Sequence, residues 1–136
     1  MLKKLIAASM LGVSLIIGSI VPASAADVWV YSGAGRYSDH QTDTYVDTNS
    51  IRWFGYNETC WVKTKIVDYE KKKIIGERKY KFFKGIDATE WTYTMHAGNV
   101  DWNDKSWQSH AVMKLDWMAQ KILDICWPYR KTSFDN

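Results

Sequence analysis

Hydrophobic and polar residues alternate through much of residues 27–95, and the period lengthens only towards the C-terminus. Asp27 to Tyr31 (DVWVY) alternates and predicts a short strand. Ser32 to Asp43 is polar, carries Gly33 and Gly35, and predicts a loop. Thr44 to Asp47 and Ile51 to Phe54 are short β-prone runs either side of Thr48-Asn49-Ser50. That junction predicts a turn in which Asp47 accepts backbone N–H bonds. Gly55-Tyr56-Asn57 marks the next turn.

The two strongest strands are Thr59 to Tyr69 and Lys73 to Lys84, and they flank the charged segment Glu70-Lys71-Lys72, which suits a hairpin loop. The favoured register sets Cys60 opposite Phe82, Val62 opposite Tyr80 and Ile66 opposite Gly76. On the other face Trp61 meets Lys81, Lys63 meets Lys79, Lys65 meets Glu77 and Val67 meets Ile75. One face is then mostly apolar and the other mostly basic. Glu90 to Met95 (EWTYTM) predicts a further strand. From about Ser106, Ala111, Leu115, Met118, Ile122 and Ile125 recur at helical spacing with Cys126 beside them, and Pro128 ends the run.

These elements predict an α+β fold. An antiparallel sheet of about five or six strands carries one C-terminal helix on its apolar face. Val62, Ile66, Tyr80 and Phe82 should pack beneath Leu115, Met118 and Ile122.

The N-terminus changes the compartment. Lys3 and Lys4 precede an apolar stretch from Leu5 to Val21, then Pro22 and Ala23-Ser24-Ala25. This predicts a signal peptide over residues 1–25, cut after Ala25, and a single domain over 26–136, secreted or periplasmic, with cell-surface association open. No stable membrane span remains after cleavage. Loss of the two lysines takes the formal charge from +3 to +1, so nucleic-acid binding loses its electrostatic support. Export also makes a disulfide the default for the even pair Cys60 and Cys126. Such a bond would staple helix to sheet and, if unstrained, stabilise the fold by about 4 kcal/mol.

Catalytic and metal signatures are sparse. His40 lies near Asp39 and Asp43, a spacing that fits no zinc signature and reads as a polar loop. His96 ends a strand and His110 sits near the expected helix start, neither with a nucleophile at a diagnostic spacing. No G-x-S-x-G, P-loop or H-E-x-x-H occurs. Asn57-Glu58-Thr59 matches the N-glycosylation pattern and, in a source that does not glycosylate it, is a turn and no more. The expectation is a protein without cofactor, metal or catalytic residues.

The aromatics carry more. Eight Trp and eight Tyr exceed what one small core can bury, so some must lie at the surface, where they serve as interface anchors. Trp102 and Trp107, in the polar stretch NVDWNDKSW, are the expected exposed pair. They suit either a binding surface or packing on the sheet's second face. Lys63, Lys65, Lys79 and Lys81, with Trp61 among them, form the expected basic face. It suits either solvation of an ordinary sheet face or an acidic partner.

The order of these features resembles the surface-adhesin protein E family of small exported bacterial proteins. The likeness covers about Asp27 to Trp127. It rests on the opening VWVY, YVDTNSI at 45–51, CWVKTKI at 60–66, EWTYT at 90–94 and a helix ending in Cys126. The resemblance implies a sheet-and-helix fold with a disulfide between the two, and adhesion to host extracellular-matrix proteins. No cysteine stands at the cleavage site to take a lipid. The expected function is therefore a non-enzymatic binding module for a host matrix protein or acidic glycan, with a periplasmic enzyme or structural component as the alternative.

Overall fold

A computed structural model describes residues 27–34 and 40–132. The signal segment, and Asp39 of the His40 loop, lie outside them. The described chain forms strands β1 (Asp27–Ala34), β2 (Gln41–Phe54), β3 (Thr59–Asp68), β4 (Ile74–Phe83) and β5 (Thr92–Ala97). A 3-10 turn (Lys105–Ser109), a two-residue strand β6 (Met113–Lys114) and helix α1 (Trp117–Cys126) follow, and a second 3-10 turn (Trp127–Tyr129) comes after the helix. The six strands are antiparallel and adjacent in chain order, a simple meander.

The register of β3 on β4 is the expected one from Cys60–Phe82 to Ile66–Gly76. It slips only at the loop end, where Val67 faces Ile74 and not Ile75. The hairpin closes through Asp68, whose carboxylate accepts from Lys71 N–H at 2.8 Å, and through Lys72 at φ 57°. The Lys71 N–H bond holds the Asp68 carboxyl below its ordinary range.

The Thr48–Ser50 junction is not a turn between two strands. Strand β2 runs straight through it as a large bulge. Asp47 faces Lys63 and Arg52 faces Trp61, so five steps on β2 match two on β3. The three extra residues are odd in number, so the inward parity flips. Thr44, Val46 and Thr48 are buried before the bulge, Ile51 and Trp53 after it. The DTNS residues satisfy the interrupted ladder. Asp47 accepts from Asn49 N–H at 3.1 Å, as its sequence context implies. The Ser50 hydroxyl accepts from Lys63 N–H and donates to the Asp47 carbonyl, both at 2.7 Å.

The helix starts later than its stripe suggested. Ala111 is exposed, and Met113–Lys114 pairs with Thr92 and Tyr93 as the edge strand β6. Asp116 sets the start. Its carboxylate accepts from Ala119 N–H at 2.7 Å as an N-cap and from the Tyr93 hydroxyl at 3.1 Å. Burial, then the Asp116 carboxylate, pushes the Tyr93 hydroxyl up to about 12. The helix buries Ala119, Ile122, Leu123 and Cys126 against Val30, Val46, Ile51, Trp53, Cys60, Val62, Tyr80 and Phe82. Leu115 and Met118 only flank this core, and Ile66 is half-buried. Leu123, absent from the expected stripe, lies at its centre.

Cys60 and Cys126 meet across the helix–sheet interface, both buried, but the expected bond is not formed and they stand as thiols. The hydrogen bond with Cys60, then burial, holds the Cys126 thiol far above the ordinary thiol range.

Candidate functional site

The outer face of the sheet is covered, which the sequence left open. At Gly98 (φ 89°) the chain leaves β5 and runs back over the sheet as a strap, residues 98–110. Asp101 and Asp104 fold the strap on itself by accepting from Asn103 N–H at 3.0 Å and Ser106 N–H at 2.8 Å. The Ser106 N–H bond holds the Asp104 carboxyl below its usual range.

The strap joins five of the seven expected binding residues, and it consumes them. Trp102 stacks on Trp61 at 5.2 Å and on Trp107 at 5.9 Å. Lys81 lies over the rings of Trp61 and Trp107 at 4.4 and 4.3 Å and donates to the Trp102 carbonyl at 2.7 Å. Lys79 donates to the Val100 carbonyl and sits 5.0 Å from the Trp102 ring. Trp107 is 7% exposed and Lys79 8%. The expected exposed tryptophan pair is thus corrected, because indole surface laid on Trp61 and two ammoniums leaves little for solvent. Burial pushes the Lys81 ammonium pKa down.

The other two, Lys63 and Lys65, lie beside Glu77, which the hairpin register placed on this face, and beside Asp27 and Asp47, which it did not. Lys65 is 3.0 Å from Asp27, and Lys63 is 3.8 Å from Asp47 and 4.0 Å from Glu77. Strand β1 brings Asp27 alongside, and the pre-bulge half of β2 brings Asp47. The expected basic face is therefore a charge-balanced one. At the far end of the strap His96 and His110 lie 4.2 Å apart, and His96 Nε2 is 2.9 Å from the Ser106 hydroxyl. His40 Nδ1 lies 3.5 Å from Glu70. Among the described residues no group of three His, Cys, Asp or Glu side chains is placed to hold a metal ion.

A different place has unmatched charge. A cleft of about 300 Å³ opens between the β2–β3 turn, the β4–β5 loop and the end of the chain. It is lined by Tyr56, Asn57, Glu58, Lys84, Gly85, Ile86, Trp91, Trp127 and Arg130. Trp91 and Trp127 form its floor, packed edge to face at 6.2 Å, and the buried Trp53 packs edge to face against them at 6.0 and 5.8 Å. Trp53 Nε1–H donates to the Cys126 carbonyl at 3.0 Å, which fixes that floor to the helix end. The walls are fixed too. Lys84 N–H donates to the Glu58 carbonyl at 2.9 Å. The Asn57 side chain clamps Lys131 by two bonds of 3.0 Å, from Asn57 (φ 62°) in a turn opened by Gly55 (φ 64°).

Lys84, Arg130 and Glu58 have no ion-pair partner among the described residues. Arg130 lies over Trp127 at 4.0 Å and donates its Nε–H to the Trp127 carbonyl at 3.0 Å, so the guanidinium is held in place without charge neutralisation. The sequence marked some of these residues, in the Gly55-Tyr56-Asn57 turn, the Asn57-Glu58-Thr59 triplet and the EWTYTM strand, but none as a binding residue. The run Trp127-Pro128-Tyr129-Arg130 was the signal available. No helix among the described residues is long and apolar enough to cross a membrane.

No family model matches this chain, and neither the curated proteins nor the solved structures contain a match.

Proposed function

We propose that the chain is exported and works as a non-enzymatic binding module, similar in kind to the surface-adhesin protein E family, for an acidic host partner. The observation that carries this reading is the cleft at the end of the sheet. It places two cations with no ion-pair partner beside exposed aromatic surface on a braced backbone. Aromatic anchors supply contact area at low entropic cost, and cations beside them steer an acidic partner. The order of motifs from VWVY to Cys126 supports the same reading.

The test is retention of the protein lacking residues 1–25 on immobilised matrix proteins and sulfated glycans across a salt series. Binding should be strongest at low salt and fade towards about 1 M, where the screening length is about 3 Å. No retention on any surface at low salt would overturn the reading.

A further inference from the structure

We infer that the cleft between Tyr56, Lys84, Trp127 and Arg130 is a subsite for a single sugar ring that carries a carboxylate or sulfate. The inference rests on the binding-module reading and assigns its site and ligand chemistry.

Size comes first. A volume of about 300 Å³ is at the small end of ligand pockets, room for one or two rings and not for a folded partner. The lining then selects among small ligands. Lys84 and Arg130 outnumber Glu58, so the site favours an anion. Arg130 presents a planar fork whose Nε is already anchored, which leaves its terminal nitrogens to address a carboxylate or sulfate. Glu58 disfavours a bare anion but accepts hydrogen bonds from hydroxyls, which a sugar offers in number. Trp127 and Trp91 add apolar surface to the lining, with Arg130 held over the Trp127 ring beside it, so a pyranose meets an apolar and a cationic group together. Tyr56 and Ile86, 76% and 84% exposed, stand at the rim, where the rest of a chain could continue.

The site is also preorganised. The Asn57–Lys131 clamp, the Lys84–Glu58 backbone bond and the Trp53–Cys126 bond hold its segments before a ligand arrives. A weak single-ring ligand can therefore bind with little ordering cost. On the hairpin face, by contrast, Lys63 and Lys65 already face Asp27, Asp47 and Glu77.

The experiment titrates the protein lacking residues 1–25 with three probes, following indole N–H signals by NMR. The probes are a uronate-containing sulfated disaccharide, its neutral unsulfated analogue, and a short Asp/Glu-rich peptide. The acidic disaccharide should shift the Trp127 and Trp91 signals saturably, at least tenfold tighter than the neutral sugar. Arg130→Gln and Lys84→Gln should each weaken it about fivefold or more, while Lys71→Gln, in the hairpin loop at the opposite end of β3 and β4, leaves it unchanged. Both cleft substitutions remove the charge and keep a polar side chain, at a half-buried position for Lys84 and an exposed one for Arg130, and dispersed spectra show that each variant is folded. Equal binding of the two sugars, unchanged affinity in both variants, or tighter binding of the peptide would each overturn the subsite. If the wild type is retained on a matrix protein or glycan surface and the variants are retained equally, the subsite fails and the binding module stands. If no surface retains the wild type, the module fails and the sugar titration alone decides the subsite.

Discussion

At the scale of single residues, small polar side chains fix the places where regular structure is interrupted. Ser50 is the clearest case, one hydroxyl serving both a donor and an acceptor that the bulge removes from the ladder. Ser50→Ala should cost about 1–3 kcal/mol, because both backbone groups lose their partner at once. Urea denaturation would show it as a lower midpoint at unchanged slope. Gly33 works by absence. A β-carbon there would lie 2.7 Å from Tyr31 Cζ, so the Tyr31 ring, which meets Trp117 edge-on at 5.2 Å, would have to move. Tyr93 gives a pH signature. Its hydroxyl ionises near 12 in the folded chain against 10.0 unfolded, so above about pH 10 the unfolded state binds fewer protons. Stability should therefore be undiminished below pH 10 and fall from there to pH 12. Tyr45 and Tyr80, both also raised by burial, act in the same direction. Tyr93→Phe should flatten part of that fall, and denaturant midpoints at pH 8 and pH 11 would measure it.

At the scale of elements, Asp116 couples the helix to the sheet. Asp116→Ala removes the cap on Ala119 and the Tyr93 bond, and should cost about 1–2 kcal/mol. The double variant with Tyr93→Phe should lose less than the sum of the two, since they share one bond. The β3–β4 pairing was legible in the sequence, because period-2 alternation on both strands leaves few registers that bury Cys60, Val62, Tyr80 and Phe82 together. The helix start was not. Ala111 and Leu115 fall on the helical period by coincidence, while the decisive signal was Asp116, whose spacing to Ala119 is that of a cap. The strap was not legible either. Its hold on the sheet comes from Lys79 and Lys81 reaching the carbonyls of Val100 and Trp102, and carbonyl positions leave no trace in side-chain pattern. Charge balance on the hairpin face was hidden for the same reason, since Asp27 and Asp47 arrive from strands whose register depends on the bulge.

At the scale of the whole molecule, the sheet lies between two unlike layers, an apolar helix inside and a cationic-aromatic strap outside. The buried thiols sit where the helix layer meets the sheet. If the chain is exported as proposed, protein recovered from an oxidising compartment should show no alkylatable thiol on denaturation without reductant. Two alkylatable cysteines would leave the interface held by packing alone. In the reduced protein both thiols should resist alkylation until unfolding, because each is fully buried.

The strap has an optical consequence. Trp61, Trp102 and Trp107 lie with nearly parallel rings, at interplanar angles of 20° and 14°, clustered about the Lys81 ammonium. Indole transitions so close together couple, so the cluster should give a paired positive and negative band in circular dichroism that separate rings do not. Trp102→Leu should weaken that couplet by removing the ring that stacks on both others. In the wild type, loss of the couplet at a denaturant concentration where far-ultraviolet strand signal persists would mean that the strap lifts before the sheet opens. The protein would then report on one of its own layers without any added label.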